Sequence, residues 1–138
     1  MQPDALLLLD PAHGGACRVN GQGYLVGAPE LVLEVTSSSV SFDLGAKKNV
    51  YRRTGVCEYL VWRVLEDAED WFINQDGVFV ALPIDAAGVG RSTVFPGLWL
   101  DVPAALRGDL AAIVRTLSAG LASAEHADFV RRLGQGRA

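Results

Sequence analysis

The chain has 138 residues, half of them hydrophobic and a fifth charged, a balance that fits one globular domain with a single core. Its net charge of -4 argues against a protein that holds nucleic acid through a general basic excess, but leaves room for an enzyme whose cations cluster on one face. No apolar run approaches the length of a bilayer span, and the first ten residues lack the basic start and length of a signal peptide, so the expected compartment is the cytoplasm, with no membrane partner.

Residues 5–9 are continuously apolar between Pro3-Asp4 and Asp10-Pro11, which predicts a short buried strand. The glycine-rich stretch that follows reads as a loop, with a short strand near residues 24–26. Leu31–Thr36 is rich in β-branched residues and predicts a second strand. Residues 42–54 turn to a helical period, with Ser41 or Asp43 available as N-cap and Gly55 as the stop. Glu58–Arg63 and residues 70–74 are further strands, and Asp76-Gly77 reads as a tight turn into residues 78–82. Residues 96–102 close the β part. After Pro103 a helix is expected, with Leu106, Leu110, Ile113, Val114 and Leu117 as its apolar stripe. A last short helix over 123–133 carries Phe129, Val130 and Leu133 as its apolar side. The expected fold class is α/β, a mixed sheet with helices, with residues 1–102 as core and 103–138 as a helical extension of the same domain.

The two cysteines form no CxxC pair, and the two histidines lie far apart, so neither gives a zinc pattern. Cys57, ahead of an apolar strand, reads as a buried small hydrophobe. Cys17 has no assigned role.

The informative strand is the one carrying Glu34. Alternation puts Glu30, Val32, Glu34 and Thr36 on one face, so Glu34 is a carboxylate in an otherwise apolar strand and needs a cation, a donor or a metal. On the next helix, Lys47 falls at the centre of the arc formed by Leu44, Val50, Tyr51 and Thr54, while Lys48 and Arg52 fall outside it on the wet side. The economical arrangement is Lys47 reaching Glu34. A buried ion pair without chemistry accounts for these two residues as well as a catalytic pair does, and Lys47 snorkelling along Leu44 and Tyr51 is a third arrangement. Asp4, just before the first strand, offers a second carboxylate on the same sheet edge, although Pro-Asp is more often a turn signal. Two carboxylates and a lysine suit a hard divalent cation with an activated water.

The run Ala28-Pro-Glu-Leu-Val-Leu-Glu-Val-Thr-Ser-Ser-Ser39, continued through Asp43-Leu-Gly-Ala-Lys47, Tyr51, Gly55-Val56, Glu58-Tyr59 and Pro96-Gly-Leu-Trp99, resembles the Uma-two family. These are restriction-endonuclease-like bacterial proteins of the PD-(D/E)XK nuclease superfamily, and the likeness covers about the first three quarters of the chain. It implies a restriction-endonuclease-like mixed sheet flanked by helices, and endonucleolytic hydrolysis of DNA phosphodiester bonds. By the same resemblance Asp4 and Glu34 bind Mg²⁺ (or Mn²⁺) with help from the Val35 backbone carbonyl. Lys47 then replaces the superfamily's usual lysine two residues after the strand glutamate, a position held here by Thr36. Catalytic roles fall on Asp4, Glu34 and Lys47, with Glu30 as an outer carboxylate.

Three departures stand against that pattern. Glu30 replaces a common Asp, Arg63 stands where an acidic residue is expected, and the family's helix and strand before the first acidic position are missing. The last departure leads to the expectation of an exposed sheet side and so of a homodimer or an inactive chain. The rival readings are a catalytically inactive structural module and a protein-interaction domain.

Other polar and aromatic residues have plainer readings. Ser37, Ser38 and Ser39 read as turn and capping residues, and Lys48, Arg52 and Arg53 as a solvated helix face. His13 reads as an exposed loop residue and His126 as a surface one. Trp62, Trp71 and Trp99 read as packing residues.

Overall fold

A computed structural model describes residues 3–37 and 44–135. Its centre is a five-stranded mixed sheet in the order β1-β4-β5-β6-β7, built from β1 (Ala5–Leu7), β4 (Leu31–Thr36), β5 (Glu58–Arg63), β6 (Ala68–Gln75) and β7 (Val78–Ala81). β4 and β5 pair in parallel, with Leu31 opposite Glu58 and Thr36 opposite Arg63, and the other neighbours are antiparallel. A parallel pair needs a crossover, and helix α1 (Ala46–Thr54) lies in that connection. Two small ladders complete the β structure: β2 (Arg18–Val19) with β3 (Leu25–Val26), and β8 (Val89–Arg91) with β9 (Trp99–Asp101). Three helices follow: α2 (Val102–Arg107), α3 (Leu110–Leu121) and α4 (Ala124–Gln135). Among the described residues no helix is long and apolar enough to cross a membrane.

Strand alternation divides the core in two. On one face Val32, Tyr59, Val61 and Phe79 pack with Tyr51 and Val56. On the other Leu31, Leu60, Trp71 and Leu82 pack with Phe95, Leu98 and Leu100. The strands Leu31–Thr36 and Glu58–Arg63 fall where their β-branched and aromatic runs predict. The Asp76-Gly77 turn has positive φ at both residues (53° and 85°), the geometry that matches the twist of a two-residue hairpin.

Several expectations are corrected. The first strand ends at Leu7, because the chain then turns, with Asp10 Oδ1 accepting the Ala12 N–H at 2.8 Å. Residues 41–43, with both proposed N-caps, lie outside the described residues. The described helix starts after Gly45 without a side-chain cap and ends at Gly55 with φ 97°. The strand β8 escaped the pattern because glycines at 88 and 90 break its alternation. The expected single helix after Pro103 is two, because Gly108 (φ 74°) ends α2 and the Asp109 side chain caps α3 through the Ala112 N–H. Leu110 and Val114 are therefore exposed, as is Val130. Cys57, expected to be buried, is exposed, and Cys17, which had no assigned role, is buried.

One buried side chain ties the second ladder to the sheet. Glu58, at the start of β5, is fully buried. Its carboxylate accepts from the Ser92 hydroxyl (2.8 Å), the Thr93 N–H and hydroxyl (both 2.7 Å), and more weakly from the Trp71 indole and the Val94 N–H (both 3.3 Å). A buried charge is tolerated only when its lone pairs are so filled. Glu58→Ala is expected to cost about 3 kcal/mol or more, because it strands buried donors. Equilibrium urea unfolding should show that loss with an unchanged slope.

Candidate functional site

Glu34 is almost wholly inaccessible, at 2 %, although it sits one residue before Val35, which is exposed. Its Oε2 lies 2.9 Å from Lys47 Nζ and accepts the Tyr51 hydroxyl at 2.8 Å. Lys47 and Tyr51 are one helical turn apart on α1, so they share a face and converge on one acceptor. The lysine retains some access to solvent, with 16 % of its side chain exposed. Glu34 is thus held by one cation and one phenol on Oε2, and these two contacts leave Oε1 to other partners.

Asp4 comes to the same place from the edge strand. Ala5 pairs with Leu33, so the register, carried one residue further, sets Asp4 opposite Glu34. Side chains of directly opposed residues lie on the same face, their Cβ atoms about 5 Å apart. The Asp4 Oδ2 accepts the Val35 N–H at 2.8 Å. A strand residue turns its N–H and C=O to the same side, so the Val35 carbonyl also faces the β1 edge. The register thus puts Asp4 beside Glu34 at the start of β1, with the Val35 N–H and C=O turned to that edge. Among the described residues no cluster of three or more His, Cys, Asp or Glu side chains suited to a metal is present.

Glu30 does not join this group. It is buried and accepts the N–H groups of Leu9 (2.7 Å) and Ala16 (3.3 Å), holding the loop after β1 to the start of β4. Lys48 and Arg52 are not simply wet. Lys48 Nζ lies 3.7 Å from the centre of the Phe72 ring, and Arg52 donates to the Gly77 carbonyl at 2.9 Å, so both pack against the β6–β7 hairpin. Arg63, in register with Thr36, bonds Asp70 at 2.7 Å and Glu66 at 2.6 Å. The acidic residues around it explain why a cation is stable there. His13 Nδ1 contacts the Leu133 carbonyl at 2.7 Å. His126 is half-buried, against the Pro96 carbonyl at 2.9 Å, rather than on the surface. Ser38 and Ser39 lie outside the described residues.

Tyr51 is the contributor that the sequence did not single out for a role. Its signal was present: a phenol at the centre of an apolar arc needs a partner for its hydroxyl, and it lies four residues from Lys47. Removing either partner of Glu34 should destabilise the fold. Lys47→Ala is expected to cost about 3 kcal/mol by leaving a buried carboxylate without its cation. Tyr51→Phe should cost about 1.5 kcal/mol, one hydrogen bond to a charged group, and urea unfolding of the two variants checks both values and their order.

Comparison with known families gives one finding. The Uma2 family model, described as "Putative restriction endonuclease", matches residues 1–103. That span contains Asp4, Glu34, Val35, Lys47 and Tyr51. No curated protein matches the chain.

Proposed function

Because the chain belongs to the Uma2 family, we propose that it is a metal-dependent endonuclease that hydrolyses DNA phosphodiester bonds where β1 meets β4. The observation that supports this reading is Lys47 seated on the buried Glu34 at 2.9 Å, with Asp4 bonded to the N–H of the next residue, Val35. A carboxylate pair on an open edge with an adjacent ammonium is more than a fold needs for stability, since a buried ion pair is a weak stabiliser against apolar replacements.

The oxygen donors fit Mg²⁺ or Mn²⁺: Asp4, the Glu34 carboxylate through Oε1, and the Val35 carbonyl would hold it, with water completing the shell. The ion supplies Lewis-acid polarisation of a phosphoryl oxygen and a water made nucleophilic at neutral pH. Tyr51 and Lys47 fix the rotamer of Glu34 by occupying Oε2. Lys47 also brings a positive charge to the place where negative charge develops during phosphoryl transfer. Thr36 cannot provide that charge, so the helix supplies what the strand lacks.

The acidic chain as a whole is no obstacle to DNA. Lys47, Lys48, Arg52 and Arg53 all belong to α1, so cations line one helix, with Lys47 at Glu34 and with Lys48 and Arg52 toward the β6–β7 hairpin across the sheet. Phosphate contacts from these residues would make binding weaken as salt rises.

Cleavage of supercoiled plasmid with Mg²⁺ or Mn²⁺ tests the proposal. Wild type is expected to nick it, EDTA to stop it, and Glu34→Gln or Lys47→Met to slow it by roughly 100-fold or more, with each variant still folded by circular dichroism. Folded wild type that cleaves no DNA with either metal would instead favour a nuclease-like module without activity.

A further inference from the structure

Away from that edge, the sheet contains a half-buried carboxylate, Glu69, with an unmet need at one oxygen. β6 runs on past the end of β7: Phe72 pairs with Ala81, but Ala68–Trp71 pair only with β5. The Trp71 carbonyl accepts the Leu82 N–H at 2.7 Å, after which the second chain turns away. Strand alternation directs the backbone N–H and C=O of Glu69 to this same vacated edge. The gap is a cavity of about 200 Å³ lined by Glu69, Asp70, Trp71, Leu82, Ile84 and Val102, among others. Glu69 Oε1 is buried there and accepts no hydrogen bond among the described residues.

A buried acceptor without a donor is costly. Burial pushes the Glu69 carboxyl up to about 7, and the neighbouring Asp70 charge adds to the rise. The segments facing Glu69 offer no cation from their lining positions, which are Ala81, Leu82, Ile84 and Val102. The charged groups around them are already engaged. Asp70 and Glu66 bind Arg63, Asp85 binds Arg91 at 3.0 Å, and Asp101 caps α2 through the Ala104 N–H.

We infer that this cavity is a binding site for a small organic cation, a protonated primary amine carried on an aromatic or branched apolar body. Three features select that chemistry. The walls are apolar and take an apolar body, and a cavity of about 150 Å³ with such walls is large enough for benzene. The Glu69 carboxyl has one oxygen, Oε1, that no donor among the described residues satisfies, and an ammonium would fill it with a charge-assisted bond. Asp70 makes the surroundings negative, which excludes an anion and favours a cation. The site is separate from the Asp4–Glu34 edge and does not rest on nuclease activity.

Binding converts the neutral carboxyl to carboxylate. The ammonium enters charged, Glu69 loses its proton to solvent, and the complex contains one carboxylate–ammonium pair. Affinity therefore rises with pH through the Glu69 transition.

Isothermal titration of the full chain with benzylammonium at pH 6 and pH 8 tests this, with benzyl alcohol as the neutral probe of similar shape. The expected result is saturable binding of the amine at pH 8, about 10-fold weaker at pH 6, and neither saturation nor pH dependence for the alcohol. Glu69→Gln, checked for an unchanged thermal melt, should weaken the amine at pH 8 by at least 10-fold and remove its pH dependence. Absence of amine binding to folded wild type at pH 8 would overturn the proposal. So would equal binding of amine and alcohol, or amine binding unchanged in Glu69→Gln.

Discussion

A carboxylate in the middle of a buried strand has to be answered within bonding distance, and Glu34 sets the terms for much of this molecule. Its strand is parallel to β5, so α1 must cross between them, and the crossing places α1 over the face that Glu34 occupies. Once there, the helix needs a cation and a hydroxyl one turn apart, and Lys47 and Tyr51 provide them. On the other side of β4, the edge strand brings Asp4 onto the N–H of the next residue, Val35. One demand for charge balance therefore fixes the helix rotation, the core around Tyr51 and the oxygen cluster on which a nuclease reading depends.

Among the described residues three acidic side chains are buried and a fourth, Glu69, is half-buried, and each is handled differently. Glu34 uses a cation and a phenol. Glu58 uses two hydroxyls, two backbone amides and an indole, and so acts as a knot that joins the β8–β9 ladder to the main sheet. Glu30 uses two backbone amides and anchors the loop after β1. Glu69 has an oxygen with no donor among the described residues and is raised toward neutrality instead. Two of these solutions are structural, one sits at an open edge beside a second carboxylate, and one lies in a cavity. Chemistry is sought at Glu34 because the register sets Asp4 beside it, and at Glu69 because its Oε1 has no donor among the described residues.

Much of the sheet and half of the site could be read from the sequence. Leu31–Thr36 and Glu58–Arg63 are legible because each is a short β-branched or aromatic run between breakers. The approach of Lys47 to Glu34 is legible because a lysine at the centre of an apolar arc and a carboxylate inside an apolar strand each require an explanation, and each supplies the other's. What could not be read depends on distant contacts. Four of the five bonds to Glu58 come from Ser92–Val94, 34 to 36 residues away along the chain, and its burial is invisible in a local pattern that looks like the start of a strand. The placement of Cys57 failed for a similar reason, since the residue before a buried strand can still face outward. The break at Gly108-Asp109 was written in a stop residue and a cap, but a continuous apolar stripe was the louder signal. Helix–sheet packing decides between them, and it takes Ile113 and Leu117 while leaving Leu110 and Val114 in water.

The central claim is that Asp4, Glu34 and Val35 form one divalent-cation site, and anomalous diffraction from crystals soaked in Mn²⁺ tests it most directly. The account predicts one strong manganese peak bonded to the Asp4 and Glu34 carboxylates and the Val35 carbonyl, with Lys47 still on Glu34, and no peak there in Glu34→Gln. A well-ordered edge with no manganese at saturating concentration, or a peak on other residues, would contradict it and leave the Glu34–Lys47 pair as a structural feature alone.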